Sequence, residues 1–238
     1  MQKQELLHKG KAKSVYSTTD PNHLIVEFRN DISAFNGVKL EMLPRKGMIN
    51  NYINAFIMQH LKNAGIAVDF ERIVDDTHSE IKRLKMLPLE AIVRNAAAGG
   101  LSKRYGIERG KVFDAPLFEF FLKSDPLGDP LITEDHIYAF GWATPEQVKQ
   151  IREISLKINS ILKDLFDKAG IFLADFKLEF GLYNGELTLG DEISPDGTRL
   201  WDKTTREVLD KDRFRQDLGE VVEHYEEVAK RLGVKLPS

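Results

Sequence analysis

The chain has 238 residues, 42% hydrophobic and 30% charged, with 34 lysines and arginines against 37 aspartates and glutamates. That composition excludes a disordered chain or a fibre, and a net charge of −3 lacks the broad positive field of a nucleic-acid binder, so no nucleic-acid partner is expected. Cysteine is absent, which removes disulfides, thiolate zinc sites and cysteine nucleophiles, and no apolar run reaches the ~18 residues of a membrane span.

The first residues carry basic groups but no apolar leader core, so a cytoplasmic protein is expected. Strands are predicted at Lys13–Thr18 and His23–Arg29, joined by a turn at Thr19-Asp20-Pro21-Asn22. A helix follows over Arg45–Ala64, with Met48, Ile49, Ile53, Phe56, Ile57 and Leu61 at 3.6-residue spacing and Gly65 ending it. Further strands are expected at Val68–Val74, Glu80–Leu84 and Leu89–Arg94. Pro88 disfavours regular structure, so a connection between two lobes is placed at Lys85–Pro88.

The second half begins with an apolar run, Pro116–Leu122, and a loop over 123–130. The clearest helix is Pro145–Ala169. Thr144 caps it, Pro145 suits its first position, Gln147 completes a capping box and Gly170 stops it. A last helix runs over Leu218–Leu232, acidic early and basic late, as the helix dipole favours. The order of elements reads as α+β with antiparallel sheets.

Residues 171–192 carry the strongest chemical signal. From Phe172 to Phe180, Phe172, Ala174, Phe176, Leu178 and Phe180 are assigned to one face and Asp175, Lys177 and Glu179 to the other. Asn184-Gly185 is a favoured two-residue hairpin turn, which sets Leu182 opposite Leu187 and Phe180 opposite Leu189. Continued, that register buries Asp191 against Leu178. A bulge or bend at Gly190 is therefore expected to turn Asp191 toward Glu179. Two converging carboxylates suit a hard cation such as Mg²⁺, with waters and phosphates as its other ligands.

Basic residues gather in three places. In Lys9-Gly10-Lys11-Ala12-Lys13 a glycine lets backbone amides approach an anion beside the lysines. Arg94, followed by Ala98-Gly99-Gly100, reads as a phosphate pocket, and the turn Ser194-Pro195-Asp196-Gly197 is expected to hold Arg199 near the carboxylate hairpin. Walker A, G-x-S-x-G, G-x-G-x-x-G and H-E-x-x-H patterns are missing, and the six histidines are scattered.

Leu173 through Gly181 and Gly190 through Trp201 resemble the SAICAR synthetase (phosphoribosylaminoimidazole-succinocarboxamide synthase) family. So do Gly10-Lys11-Ala12-Lys13, Arg45-Lys46-Gly47-Met48, Pro88-Leu89-Glu90 through Arg94, and Asp210-Lys211-Asp212-Arg213-Phe214-Arg215. The resemblance implies a carbon–nitrogen ligase of purine biosynthesis. ATP, the carboxylate of carboxyaminoimidazole ribonucleotide (CAIR) and L-aspartate give SAICAR, ADP and phosphate through an acyl phosphate. The implied fold is two-lobed, with ATP between the lobes as in protein kinases and ATP-grasp enzymes: residues 1–86 cover ATP, and 87–238 carry the metal hairpin and the CAIR site.

Carried over by position, Gly10, Lys11, Ala12, Lys13, Val15, Lys82 and Met86 bind ATP, Met86 through its backbone at adenine. Glu179 and Asp191 bind Mg²⁺. Lys177, near the transferring phosphoryl group, and Asp175 are the implied catalytic residues. Glu90, Arg94, Gly100, Ser102, Lys123, Asp129, Asp196, Arg199 and Arg215 bind substrate, the arginines chiefly at the CAIR phosphate. Bacterial relatives imply a homodimer, and the lack of an apolar span leaves no membrane partner expected. The chain departs from the family in having Gly100 where serine is usual and Asn36 where aspartate is common. Two other readings stay open: another ATP-dependent carboxylate–amine ligase on this scaffold, or a non-catalytic nucleotide-binding relative.

Overall fold

A computed structural model describes residues 2–34 and 37–237, so the expectation at Asn36 lies outside the described residues. The chain opens with β1 (Lys3–Lys9), β2 (Lys13–Thr18), β3 (His23–Phe28), β4 (Asp31–Ala34) and β5 (Lys39–Met42), then helix α1 (Lys46–Asn63). Next come β6 (Phe70–Ile73), β7 (His78–Lys82), β8 (Lys85–Ala96), α2 (Gly99–Tyr105), β9 (Val112–Leu122), β10 (Leu131–Ile132) and α3 (Glu134–Ala139). The rest is α4 (Pro145–Lys168), β11 (Ile171–Tyr183), β12 (Glu186–Gly190), β13 (Thr198–Asp202), the single turn α5 (Asp212–Arg215), and α6 (Val221–Leu232).

The strands form two larger antiparallel sheets. One has the order β1-β2-β3-β7-β6, and the other the order β10-β9-β8-β11-β12 with β13 also paired to β11. Val68 bridges to Leu189 between them, with Asp69 N–H donating to Leu189 O at 2.8 Å and Leu189 N–H to Ala67 O at 2.9 Å. One continuous apolar cluster, from Ile32 to Leu232, joins α1, α4 and α6 to the second sheet and takes in Phe70 of β6 from the first.

Lys85–Pro88, expected to be irregular, is strand. The first sheet ends at Lys82 and the second begins at Lys85, so Arg83-Leu84 joins them and Pro88 lies within β8. The ladder tolerates it through a register shift: Glu179 pairs with Glu90 and Gly181 with Met86, so β8 carries extra residues there. A proline has no N–H to lose at such an irregularity, and its carbonyl accepts from Lys123 N–H at 3.0 Å.

Helix α1 shows why the chain needs glycine after Lys46. A Cβ on Gly47 would lie 2.2 Å from the Phe28 carbonyl oxygen. Helix α4 starts as its sequence predicts. Thr144 Oγ1 accepts from Gln147 N–H at 3.2 Å, and Gln147 Oε1 accepts from Thr144 N–H at 2.9 Å. Its buried stripe of Val148, Ile151, Ile158, Leu162 and Phe166 packs on β11 and β8. Thr144→Ala is expected to destabilise the protein by about 1 kcal/mol, read from a denaturant midpoint with unchanged slope. Helix α6 begins three residues later than predicted, because Asp217, Gly219 and Glu220 all have positive φ.

Candidate active site

The hairpin of β11 and β12 has the expected register: Leu182 opposite Leu187, Phe180 opposite Leu189. Two details differ. First, the ladder with β13 shifts between Leu173 and Asp175. Phe176, Leu178 and Phe180 join the main core, while Ala174 and Phe172 pack with Trp201 in a separate cluster, so the alternation does not run unbroken from Phe172. Second, the bend falls at Asp191, not Gly190. Pairing ends with Glu179 opposite Gly190, and Asp191 turns out of the strand with φ 64°. Gly190 serves close packing instead: a Cβ there would lie 3.0 Å from Leu84 and 3.4 Å from both Asp69 and Met86.

This bend brings charges from both sheets together. Lys177 Nζ lies 2.5 Å from Glu179 Oε1, 3.0 Å from Glu90 Oε1 and 3.6 Å from Asp191 Oδ2. From the first sheet, Lys13 pairs with Asp191 and lies 3.1 Å from Glu192 Oε1. Lys123 pairs with the second oxygen of Glu179, a side chain only 1% exposed. Burial would raise the Asp191 carboxyl, but Lys13, Lys177 and Lys123 overcome it and hold the group far below the usual carboxylate range. Burial opposes charge on Lys177 too, and Glu179, Asp191 and Glu90 keep it firmly protonated. Burial pushes Glu90 up.

The other expected nucleotide residues surround this cluster. Gly10 to Lys13 form the turn between β1 and β2. Gly10 N–H donates to Lys13 O at 2.8 Å, and Ala12 O accepts from Arg29 N–H at 2.9 Å, which together set the shape of the turn. Lys11 spans to Asp125 at 2.7 Å. Val15 is half-buried on β2. Lys82 donates to Val68 O at 3.2 Å and lies 3.3 Å from Glu71. Met86 is 42% exposed, with its sulfur 3.0 Å from where a Gly181 Cβ would stand. Asp129 accepts from Ser124 N–H at 2.8 Å and shapes its own loop.

Beside this cluster runs a line of alternating arginines and acids. Arg104 Nη2 meets Glu119 at 2.5 Å, and Arg94 Nε meets the other Glu119 oxygen at 2.6 Å. Arg94 Nη1 reaches Asp175 at 2.6 Å, and Arg199 Nη1 reaches the same oxygen at 3.0 Å. Arg199 Nε then meets Asp212 at 2.9 Å, and Arg215 meets Asp212 at 2.5 Å. Asp175, Glu119 and Asp212 are buried, so each guanidinium is held in a fixed place. The Arg199 guanidinium lies against Gly99, where a Cβ would come within 2.4 Å of Nη2.

Asp196 stands apart. Its two oxygens take Lys46 Nζ at 2.6 Å and Tyr225 Oη at 2.7 Å in a buried set that anchors α1 and α6 to the turn before β13. Ser102 Oγ is buried and has no hydrogen-bond partner among the described residues.

A model of the SAICAR synthetase family matches residues 6–232. The phosphoribosylaminoimidazole-succinocarboxamide synthase of Pseudomonas aeruginosa strain LESB58 is 59% identical over 236 residues, 99% of this chain and 100% of that protein. The chain belongs to the SAICAR synthetase family. The crystal structure of the synthase from Ehrlichia chaffeensis superposes with a TM-score of 0.95 at 44% identity, covering 98% of this chain and 100% of that one. A SAICAR synthetase in complex with ADP gives 0.94 at 40% identity, with 98% and 100% covered.

Among the described residues of this family member, no group of three or more His, Asp or Glu forms a ready-made metal cage. Glu179 and Asp191 nevertheless fit Mg²⁺: both are oxygen donors within reach of one ammonium, and this ion takes one or two carboxylates plus substrate phosphates. Several residues of the site were missed in the sequence. Glu119 stands in the aromatic run Leu117-Phe118-Glu119-Phe120-Phe121, and Asp69 follows Ala67-Val68. An acid inside an apolar stretch must find a partner or shift its pKa, and that signal was available. Glu119 holds two arginines. The Asp69 carboxyl, buried and next to Asp191, is pushed well above the usual range.

Proposed function

We propose that this chain joins L-aspartate to the carboxylate of CAIR at the expense of ATP, through an acyl phosphate. Its class is that of its family, an ATP-dependent carbon–nitrogen ligase of purine biosynthesis. The observation that carries the reading is the meeting of Lys13, Lys177, Glu179 and Asp191 beside the ordered arginine line.

A carboxylate resists amine attack because an oxide is a poor leaving group. Attack of a CAIR carboxylate oxygen on the γ-phosphorus releases ADP. The aspartate amine then attacks the acyl carbon, phosphate departs with that oxygen, and the nitrogen loses its proton. The protein positions the reactants and neutralises charge. Lys13 and Lys177 face the transferring phosphoryl group, while Lys11 and the turn of β1 and β2 cover the nucleotide together with Val15, Lys82 and Met86. Glu179 and Asp191 would hold Mg²⁺, whose charge, when bound, screens the phosphate oxygens. Arg94, Arg199 and Arg215 receive the CAIR phosphate, and Glu90 and Lys123 lie on the side of its reacting end. In this reading Asp175 is a positioning residue, because it is turned to Arg94 and Arg199 and not to a reacting atom.

The reading places the enzyme in the cytoplasm as a homodimer. Light scattering should give twice the chain mass. ADP release measured with each substrate omitted in turn tests the reaction: release should need CAIR, and SAICAR should form only with aspartate. ATP binding without turnover when all substrates are present would favour the non-catalytic relative. Gly99→Ala is expected to cost about 1–2 kcal/mol from its left-handed backbone. By displacing Arg199 it should raise KM for CAIR and leave KM for ATP in place, which initial rates would show.

A further inference from the structure

The arginine line ends in a side chain to which the reading above gives no role. Arg104, on α2, is fixed on three sides: Nη2 donates to Glu119 Oε1 at 2.5 Å, and the guanidinium carbon lies 5.2 Å from the centre of the Phe121 ring and 5.5 Å from that of Tyr105. Glu119, only 7% exposed in its side chain, spends its other oxygen on Arg94, so one buried acid sets two arginines at once. The Arg104 side chain itself is 31% exposed. Its Nη1 has no hydrogen-bond acceptor among the described residues. That nitrogen lies 3.3 Å from where a Gly100 Cβ would stand, and on the preceding residue the Arg199 guanidinium lies against Gly99. Two guanidinium groups, each tied to a buried carboxylate, therefore bracket the dipeptide Gly99-Gly100.

We propose that Arg104 is a further substrate-binding residue. With Arg199 it closes on a phosphate monoester dianion lying over Gly99-Gly100, and Glu119 is the residue that positions Arg104 and Arg94 together. Planar, charge-assisted donors on two sides suit the several oxygens of such a dianion. A glycine at 100 leaves Nη1 room beside the backbone. The proposal rests on the reading that the CAIR phosphate binds among these arginines.

Initial-rate kinetics on the whole enzyme test it, with Arg104→Gln, Arg104→Lys and Arg199→Gln compared with the parent. Arg104→Gln is expected to raise KM for CAIR about tenfold, the worth of one charge-assisted contact, with KM for ATP within about twofold. Inorganic phosphate, used as a competitor of CAIR, should lose affinity by a similar factor, and Arg104→Lys should recover part of both losses. An unchanged KM for CAIR in Arg104→Gln overturns the proposal, as does an equal rise in KM for ATP, which marks a purely structural role. If Arg199→Gln raises KM for CAIR and Arg104→Gln does not, Arg104 alone is wrongly assigned. If neither raises it, the phosphate site itself is wrongly placed. Glu119→Gln should raise KM for CAIR in the same direction, and a variant whose KM for CAIR matches the parent's contradicts its positioning role.

Discussion

Asp191→Asn should lower kcat by on the order of a thousandfold while leaving the fold intact. The substitution isolates charge from shape. Asp191 sits at φ 64°, in the left-handed region, which asparagine adopts more readily than most residues, so the backbone need not move. The side chain is already at the end of the β12 ladder, and Lys13 keeps Glu192 at 3.1 Å as a partner. What is lost is one of the three carboxylates that meet at Lys177, and with it the charge balance around the phosphates. Steady-state rates and a thermal melt on the same sample check this. A variant with near-parental kcat would remove Asp191 from the phosphoryl-transfer site, whereas a collapsed melting temperature would show that its role is structural.

Asp175→Ala carries the largest expected cost in stability, about 3 kcal/mol, at the low end for breaking one partner out of a buried charged set. The aspartate is 3% exposed and takes both Arg94 and Arg199. Removing it leaves two guanidinium groups facing each other without the charge between them. The loss is limited because Arg94 retains Glu119 at 2.6 Å and Arg199 retains Asp212 at 2.9 Å. For a chain of this size such a change lowers Tm by roughly 10 °C. KM for CAIR should rise as well, since both arginines lose their orientation. A Tm within a degree of the parent would mean that the arginine line is held by other contacts.

The sequence was most legible where local rules and long-range packing agree. Asn184-Gly185 fixed the hairpin register, because a two-residue turn leaves no freedom and the apolar pairs on both strands match it. Thr144, Pro145 and Gln147 marked the start of α4 because a capping box uses only neighbouring residues. The family motifs then identified the charged residues that cluster. Strand β1 was not legible: every residue in it is exposed, so it carries no apolar alternation to read. Pro88 misled because a register shift in β8 absorbs a residue that a regular ladder would reject. Phe172 and Ala174 were put on the wrong face because the irregularity opposite β13 reverses the alternation, and nothing in the run of apolar residues announces it. The Gly190 signal was sound in position but not in cause. The ladder does end there, yet the glycine is needed for the approach of Leu84 and Met86, and Asp191 supplies the turn.

Glu119 illustrates what a sequence alone withholds. Its position within an aromatic run shows that it needs a partner, but only the pairing of β8 with β9 determines which one. Arg94 lies opposite Leu117 in that ladder, which brings its guanidinium to Glu119. Asp212 and Arg199 meet in the same way, through the turn at 194–197 and the short helix α5. Charges distant in sequence become an ordered line because strands set their spacing, and the line in turn fixes the arginines at little entropic cost on binding.

The most direct test of the central assignment is a crystal soaked with ADP and Mn²⁺, the metal located by its anomalous scattering. The assignment predicts one strong peak touching carboxylate oxygens of both Glu179 and Asp191, with the diphosphate beside Lys13 and Lys177. A peak remote from these two carboxylates, or a diphosphate bound away from both lysines, would contradict it.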